Sequence, residues 1–219
     1  EIISANSLDK DELLFPDANI LKGSPNKQVH LSHDEMDIFS NNAIFFQRKN
    51  KFIATGDVFL KQGDSLELKC DSLNYDGKIK KFFSYGKVYL INNKTTLNSN
   101  ELLYDRKKNV ASFFNGGNII DSLTTIQSKK GDYLLEIDKY KFRNDITITN
   151  PDYIIESESL DYIVGQEKTY FLDSTKIKGD SYEITCNRGF YDGKLMKGHF
   201  LDNAKILLNE RIIRGDSIF

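Results

Sequence analysis

Three histidines, two cysteines and a recurring Gly-Asp-Ser triplet are the residues of this 219-residue chain whose types could do chemistry. His30 and His33 lie beside Asp34 and Glu35, a set of side chains that ligates metals elsewhere. In a strand, however, residues i and i+3 point to opposite faces, and His199 is remote. No metal site and no cofactor is expected. The triplets at 63–65, 179–181 and 215–217 place a serine beside an aspartate but lack the Gly-x-Ser-x-Gly elbow of a nucleophile. Gly63 and Gly179 are 116 residues apart, so the triplets read as turns of a repeat. Asp71, Asp76, Asp105, Asp161 and Asp192 also recur at fixed places. Acid–base catalysis needs two carboxylates in one unique pocket, whereas these are spaced like turn formers. Asn93-Lys94-Thr95 fits a glycan acceptor, a triplet too common by chance to weigh. Cys70 and Cys186 differ by 116 positions, four periods. Four strand spacings are roughly 19 Å, beyond the ~7 Å limit between the Cα atoms of a disulfide. They read as small apolar core residues.

The elements that must position these residues repeat. Leu66-Glu67-Leu68-Lys69-Cys70-Asp71-Ser72-Leu73-Asn74-Tyr75-Asp76-Gly77 alternates apolar and polar, then closes on an aromatic and a turn. The closing aromatic recurs as Tyr75, Tyr104, Tyr133, Tyr162 and Tyr191, always 29 residues on, with Phe45 and Phe219 near the same phase. A fixed period of this kind means stacked like units around one shared core. Leu66, Leu68 and Cys70 share one parity, Leu73 and Tyr75 the other. Alternation must slip by one near Asp71-Ser72, and a bulge or corner there keeps both sets facing inward.

Helical periodicity is nearly absent, and β-branched and aromatic residues fill the alternating segments. The reading is all-β, short antiparallel strands joined by tight turns, in two sheets facing each other across inward apolar side chains. Taken level by level, the inward set is Val58, Leu60, Leu66, Leu68, Leu73, Tyr75, Val88, Leu90, Leu102 and Tyr104. It continues with Ile119, Tyr133, Ile146, Ile148, Leu160, Tyr162, Ile177, Ile184 and Tyr191. One repeat domain spans 1–219: a partial unit at 1–19, six units over 20–203, and a unit cut short at 204–219. A stop inside a unit predicts that further protein follows. Thirty basic and 32 acidic residues leave a net charge of −2, so nucleic acid is not expected as a partner. No apolar run approaches the roughly 20 residues that span a bilayer, and Glu1-Ile2-Ile3-Ser4 is no signal peptide.

The chain resembles the OstA-like family, which includes the periplasmic lipopolysaccharide-transport protein LptA and the N-terminal domain of LptD, and most of all its longer Bacteroidetes-type members. The resemblance rests on Phe52-Ile53-Ala54-Thr55-Gly56-Asp57-Val58, Cys70-Asp71-Ser72-Leu73-Asn74-Tyr75 and Asn115-Gly116-Gly117-Asn118-Ile119-Ile120. Leu is replaced at the Gly131-Asp132 and Gly189-Phe190 steps. The resemblance implies a β-taco, or open β-jellyroll, whose inward residues line a groove for the acyl chains of lipopolysaccharide. It implies a periplasmic location in a Gram-negative bacterium, with outer-membrane association, and no enzymatic activity. The partners it implies are lipopolysaccharide, like domains joined end to end through edge strands, and further copies of itself. The alternative from the residues alone is a structural or adhesive β-solenoid with a closed core and no lipid ligand. A carbohydrate-active β-helix would need carboxylates gathered at one level, and none are.

Overall fold

A twelve-residue strand with a kink in its middle sets the architecture. The computed structural model describes residues 1–93 and 95–219; Lys94, and with it part of the Asn93-Lys94-Thr95 triplet, lies outside the described residues. The chain forms two compact units, Glu1–Ala111 and Ser112–Phe219. Every pairing described below is antiparallel.

In the first unit β1 (Ile2–Ser4), β2 (Ser7–Asp9), β3 (Asn19–Lys22), β4 (Val29–His33), β5 (Met36–Ser40) and β6 (Asn42–Phe46) are short. Then come β7 (Lys51–Gln62), β8 (Leu66–Asp76), β9 (Lys81–Asn92) and β10 (Thr95–Asp105). In β7, Phe52, Ala54, Val58 and Leu60 are all buried. Between them Gly56 and Asp57 take φ of 77° and 46°, a left-handed pair that bulges the strand. A side chain at Gly56 would also collide with Asn41, so the corner needs glycine twice over. Facing it, β8 buries Leu66, Leu68 and Cys70, slips register between Lys69 and Ser72 against its next neighbour, β9, and then buries Leu73 and Tyr75. The expected slip at Asp71-Ser72 is thus a corner. β9 repeats the bulge at Gly86 and Lys87, and β10 the slip between Ser99 and Glu101.

The corners divide each long strand between two walls. The first half of β7 pairs with β6 and its second half with β5. One wall therefore runs β2, β3, β6, then the Phe52 end of β7 and onward; the other runs β1, β4, β5, then the Leu60 end. The corners form a spine, and the hairpin turns form two lips opposite it.

β11 (Val110–Phe113) carries the chain from the first unit into the second. The second unit holds β12 (Gly117–Asp121), β13 (Thr124–Ser128), β14 (Lys130–Leu134), a 3-10 turn at Leu135–Ile137, β15 (Lys139–Asn150), β16 (Tyr153–Ile163) and β17 (Lys168–Phe171). It ends with β18 (Thr175–Gly179), β19 (Tyr182–Cys186), β20 (Arg188–Asp192), β21 (Lys197–Leu208) and β22 (Arg211–Ile218). Corners fall at Asn144-Asp145 and Asp202-Asn203, both pairs left-handed. Elsewhere the strand breaks outright, as at Asn187 between β19 and β20. One wall runs β14, β15, β16, β17, β20, β21 and the other β12, β13, β15, β16, β18, β19, β21.

Two expectations need correction. Gly63-Asp64-Ser65 is a turn, but Gly215-Asp216-Ser217 lies within β22. Gly215 sits opposite Ala204, at the register shift made by the Asp202-Asn203 bulge. A glycine triplet serves a corner as well as a turn. Nor are all the recurring aspartates turn formers. Asp76, Asp105 and Asp192 are, each accepting backbone N–H groups of the following turn. Asp161 lies within β16 and pairs with Lys139 at 2.6 Å, and Asp71 belongs to a corner.

Candidate functional site

Each rung of the interior has a descending and an ascending side chain, and in both units the ascending tyrosines stand just inside one lip. Tyr75 stacks on Phe82 at 4.5 Å between ring centroids, and Tyr133 on Tyr140 at 4.2 Å. The hydroxyls reach the turn beyond: Tyr104 Oη donates to Asn109 at 2.9 Å and Tyr133 Oη to Asp138 at 2.7 Å. That partner is five residues on, and Asn50, Lys80, Asn109, Asp138, Glu167 and Met196 all hold left-handed φ. The whole expected inward set is buried. Leu66 and Ile184, each 6% exposed, are its most accessible members. The walls therefore meet along these rungs.

A second ladder, equally buried, is missing from the sequence reading. On the descending strands it runs Phe52, Phe82, Ala111, Tyr140 nearest the lip, and Ala54, Ser84, Phe113, Phe142, Phe171 and Phe200 one step deeper. Its members recur every 29 or 30 residues, the signal that could have found it. The residue type changes from rung to rung, which hides the period. The deeper ladder also explains the missing leucine at Gly131, whereas at Gly189 a side chain would meet the His199 carbonyl. A side chain at Gly131 would collide with the Phe113 ring at 2.6 Å and approach Phe142 at 3.0 Å. The rings occupy the leucine's volume.

The lips touch through polar and aromatic contacts. In the first unit Asp34, from the β4–β5 turn on one lip, reaches across to the other. Its carboxylate lies 3.4 Å from Arg106 Nη1 and 3.6 Å from Lys80 Nζ, and its carbonyl accepts from Arg106 Nη2 at 3.0 Å. His33 rests on Tyr75 at 5.3 Å. The His33 ring, then Lys80 and Arg106, hold the Asp34 carboxyl below the usual carboxylate range. In the second unit Asp121 crosses instead, accepting from Tyr162 Oη at 3.0 Å and from the Gly165 N–H at 2.9 Å. Burial, followed by the Asp121 charge, pushes the Tyr162 phenol far above its ordinary range.

His30 and His33 do point apart. His30 stacks on Phe39 and binds Asp37 at 2.7 Å, whereas His33 turns to Tyr75. His199 stacks on Phe219. Both cysteines are buried free thiols, raised by burial to about 12 for Cys70 and about 11 for Cys186.

One largely apolar cavity opens in the second unit. It has a volume of 740 Å³ and is walled by Tyr182, Tyr191, Met196, Gly198, Phe200 and Phe219, among others. Tyr191 and Ile184 of the expected set face it. It lies where the ladder nearest the lip has dwindled to Gly198.

The fold and site define an all-β repeat protein, each unit of which wraps an apolar interior between two walls that meet at their lips. The chain belongs to the OstA-like protein family, whose model matches residues 1–158. Among solved structures it is similar to LptH of Pseudomonas aeruginosa, described as the LptA-homologous periplasmic component of the conserved lipopolysaccharide transport device. That match has 13% identity and a TM-score of 0.27, and covers 61% of this chain and 79% of the other. No curated protein matches the chain.

Proposed function

We propose that this chain is a non-enzymatic conduit module that shields the acyl chains of lipopolysaccharide between its two walls in the periplasm. The observation that carries the reading is the unbroken inward ladder. Val58 to Tyr104 and Ile119 to Tyr191 present apolar side chains at every level, with charged contacts at the lips. Acyl burial contributes about 0.8 kcal/mol per methylene. An exposed ion pair to a headgroup contributes at most about 1 kcal/mol, so the chains dominate affinity. Similar rungs offer similar sites, and a lipid can slide without meeting one deep trap. Membership of the OstA-like family supports the assignment. The Tyr191–Phe200 cavity is the place where a chain fits with least rearrangement. Along the other rungs the walls must part. End-to-end pairing with like domains would use edge strands.

Photo-crosslinking residues at Leu68, Tyr104, Tyr162 and Tyr191 are expected to capture lipopolysaccharide, and one at the outward Lys69 is not. Equal capture at both classes would remove the trough from the account. The near-complete burial of the ladder favours a second reading, a closed β-solenoid with no ligand. Capture at none of these positions, with the fold intact, would select it.

A further inference from the structure

The lip bearing the tyrosines is strongly basic in the first unit. Three of its turns carry Arg48, Lys49 and Lys51; Lys78, Lys80 and Lys81; and Arg106, Lys107 and Lys108, while the β2–β3 loop adds Lys10 with Asp11, Glu12 and Asp17. Asp76 and Asp105 neutralise Lys51 and Lys81, and Asp17 pairs with Arg48. Among the described residues, Lys78, Lys107 and Lys108 have no acidic partner. In the last turn of this arc the Arg106 side chain is only 13% exposed, and it meets Asp34 from the opposite lip. Beside them lies the buried Tyr75 Oη, close enough to feel both charges. One arm of a planar guanidinium and an ammonium meet one carboxylate oxygen, the other arm takes a backbone carbonyl, and a phenol stands alongside, a donor set with room for the several oxygens of a tetrahedral oxyanion.

The turn that delivers Asp34 is itself unfavourable. Asp34 and Glu35 both hold left-handed φ, 48° and 65°, where a two-residue hairpin prefers Asn-Gly. Asp34 suits its position, and Glu35 stands where glycine is preferred. The arc also borders the apolar interior, since Tyr104 and Arg106 are two residues apart. A ligand answering both features has a phosphate attached to a hydrocarbon chain.

We infer that Arg106, Lys80 and Tyr75 form a receptor for the phosphate headgroup of an acyl amphiphile, and that Asp34 occupies it until the phosphate displaces it. Exchange frees the opposite lip, so headgroup capture and the parting of the walls are one event. The inference rests on the conduit reading but adds a site, a ligand chemistry and a built-in competitor.

The test uses a fluorescent twelve-carbon probe ending in a phosphate monoester and its uncharged alcohol twin, titrated into the whole chain. The phosphate probe is expected to bind roughly three- to tenfold tighter than the alcohol. Asp34→Asn should tighten the phosphate probe several-fold and leave the alcohol unchanged. Lys80→Gln, and separately Arg106→Gln, should erase the preference; Lys80 is the more exposed, so its variant guards against misfolding. Equal affinities for the two probes in all forms would overturn the receptor and leave the trough standing. Binding of neither probe would overturn both. Displacement of the phosphate probe by inorganic phosphate with no dependence on chain length would reduce the site to a free-phosphate site and overturn the headgroup assignment.

Discussion

The two units solve one packing problem with the same volume placed at different depths. In the first unit the descending strands put Phe52 and Phe82 nearest the lip, then Ala54 and Ser84 beneath them. In the second the lip position shrinks through Tyr140 and Thr169 to Gly198, and the deeper position fills with Phe142, Phe171 and Phe200. The ascending partners follow. Leu73 and Leu102 flank Ser84, whereas Gly131 and Leu160 flank Phe142. The lips differ in parallel. The first unit's turns carry the basic arc, while the second unit's expose Ile137, Leu195 and Met196. The comparison teaches that the repeat conserves the filled volume of a rung rather than any one residue. Aromatic mass sits beneath a charged lip in one unit and nearer the spine beneath an apolar lip in the other.

The largest effects should come from exchanging these solutions. Phe142→Ser alone removes a fully buried ring and is expected to cost about 3–5 kcal/mol. Gly131→Leu alone drives a side chain into Phe113 and Phe142 and should cost about 1–3 kcal/mol or more. Together they recreate across Leu160 the Leu-Ser-Leu row that Leu73, Ser84 and Leu102 make in the first unit. A double-mutant cycle by urea denaturation should therefore show the pair recovering at least about 1 kcal/mol relative to the sum of the single losses. Strict additivity would mean that the rungs are not exchanged as volumes.

Much of this fold was legible because parity is a local signal. The tyrosine period and the slip at Asp71-Ser72 can be read from neighbouring residues, and both stand in the structure as written. The Phe52 and Phe142 ladders were not read, because Ala111, Thr169 and Gly198 interrupt their chemistry while keeping their phase. The left-handed turn position was half visible. Asn50, Asn109 and Asp138 advertise it, but Lys80, Glu167 and Met196 do not. The Asp34–Arg106 contact was invisible, since it spans 72 residues and depends on two walls meeting lip to lip. Nor could composition tell a filled interior from a gaping one. That depends on ring positions within a rung, which alternation leaves open.

Alkali should separate the units next. In the second, burial raises the phenols of Tyr140, Tyr153, Tyr162 and Tyr191, reinforced by Asp121 at Tyr162 and by Glu167 at Tyr153. In the first, burial raises Tyr75 and Tyr104, and Arg106 opposes the rise at both. A phenol whose folded pKa lies above its unfolded value near 10 contributes stability that is complete below pH ~10 and is lost as pH climbs toward the folded value. The second unit carries more such groups and has less cationic relief. Limited proteolysis at about pH 11 should therefore cut within 112–219 before 1–111. First cleavage in 1–111 would reverse the comparison.

The smallest effect is the most local, because each unit holds one free thiol next to a corner or a strand break. Cys70 ends the inward run before a corner and Cys186 the run before the strand break at Asn187. With pKa values of about 12 and about 11, only roughly one Cys70 in ten thousand and one Cys186 in a thousand is thiolate at pH 8. Alkylation must therefore wait for local opening, after which both thiols return to an ordinary value near 8.5. Labelling rates then report how often each unit opens. The neighbouring Ile184 rung borders the 740 Å³ cavity, so the second unit has less packing to break around its thiol. Iodoacetamide labelling followed by peptide mass spectrometry should show Cys186 reacting a few-fold faster than Cys70. Equal rates would mean that moving the aromatic rings toward the spine leaves the walls as hard to part as before. A faster Cys70 would mean that the charged lip, not the apolar one, is where the walls open first.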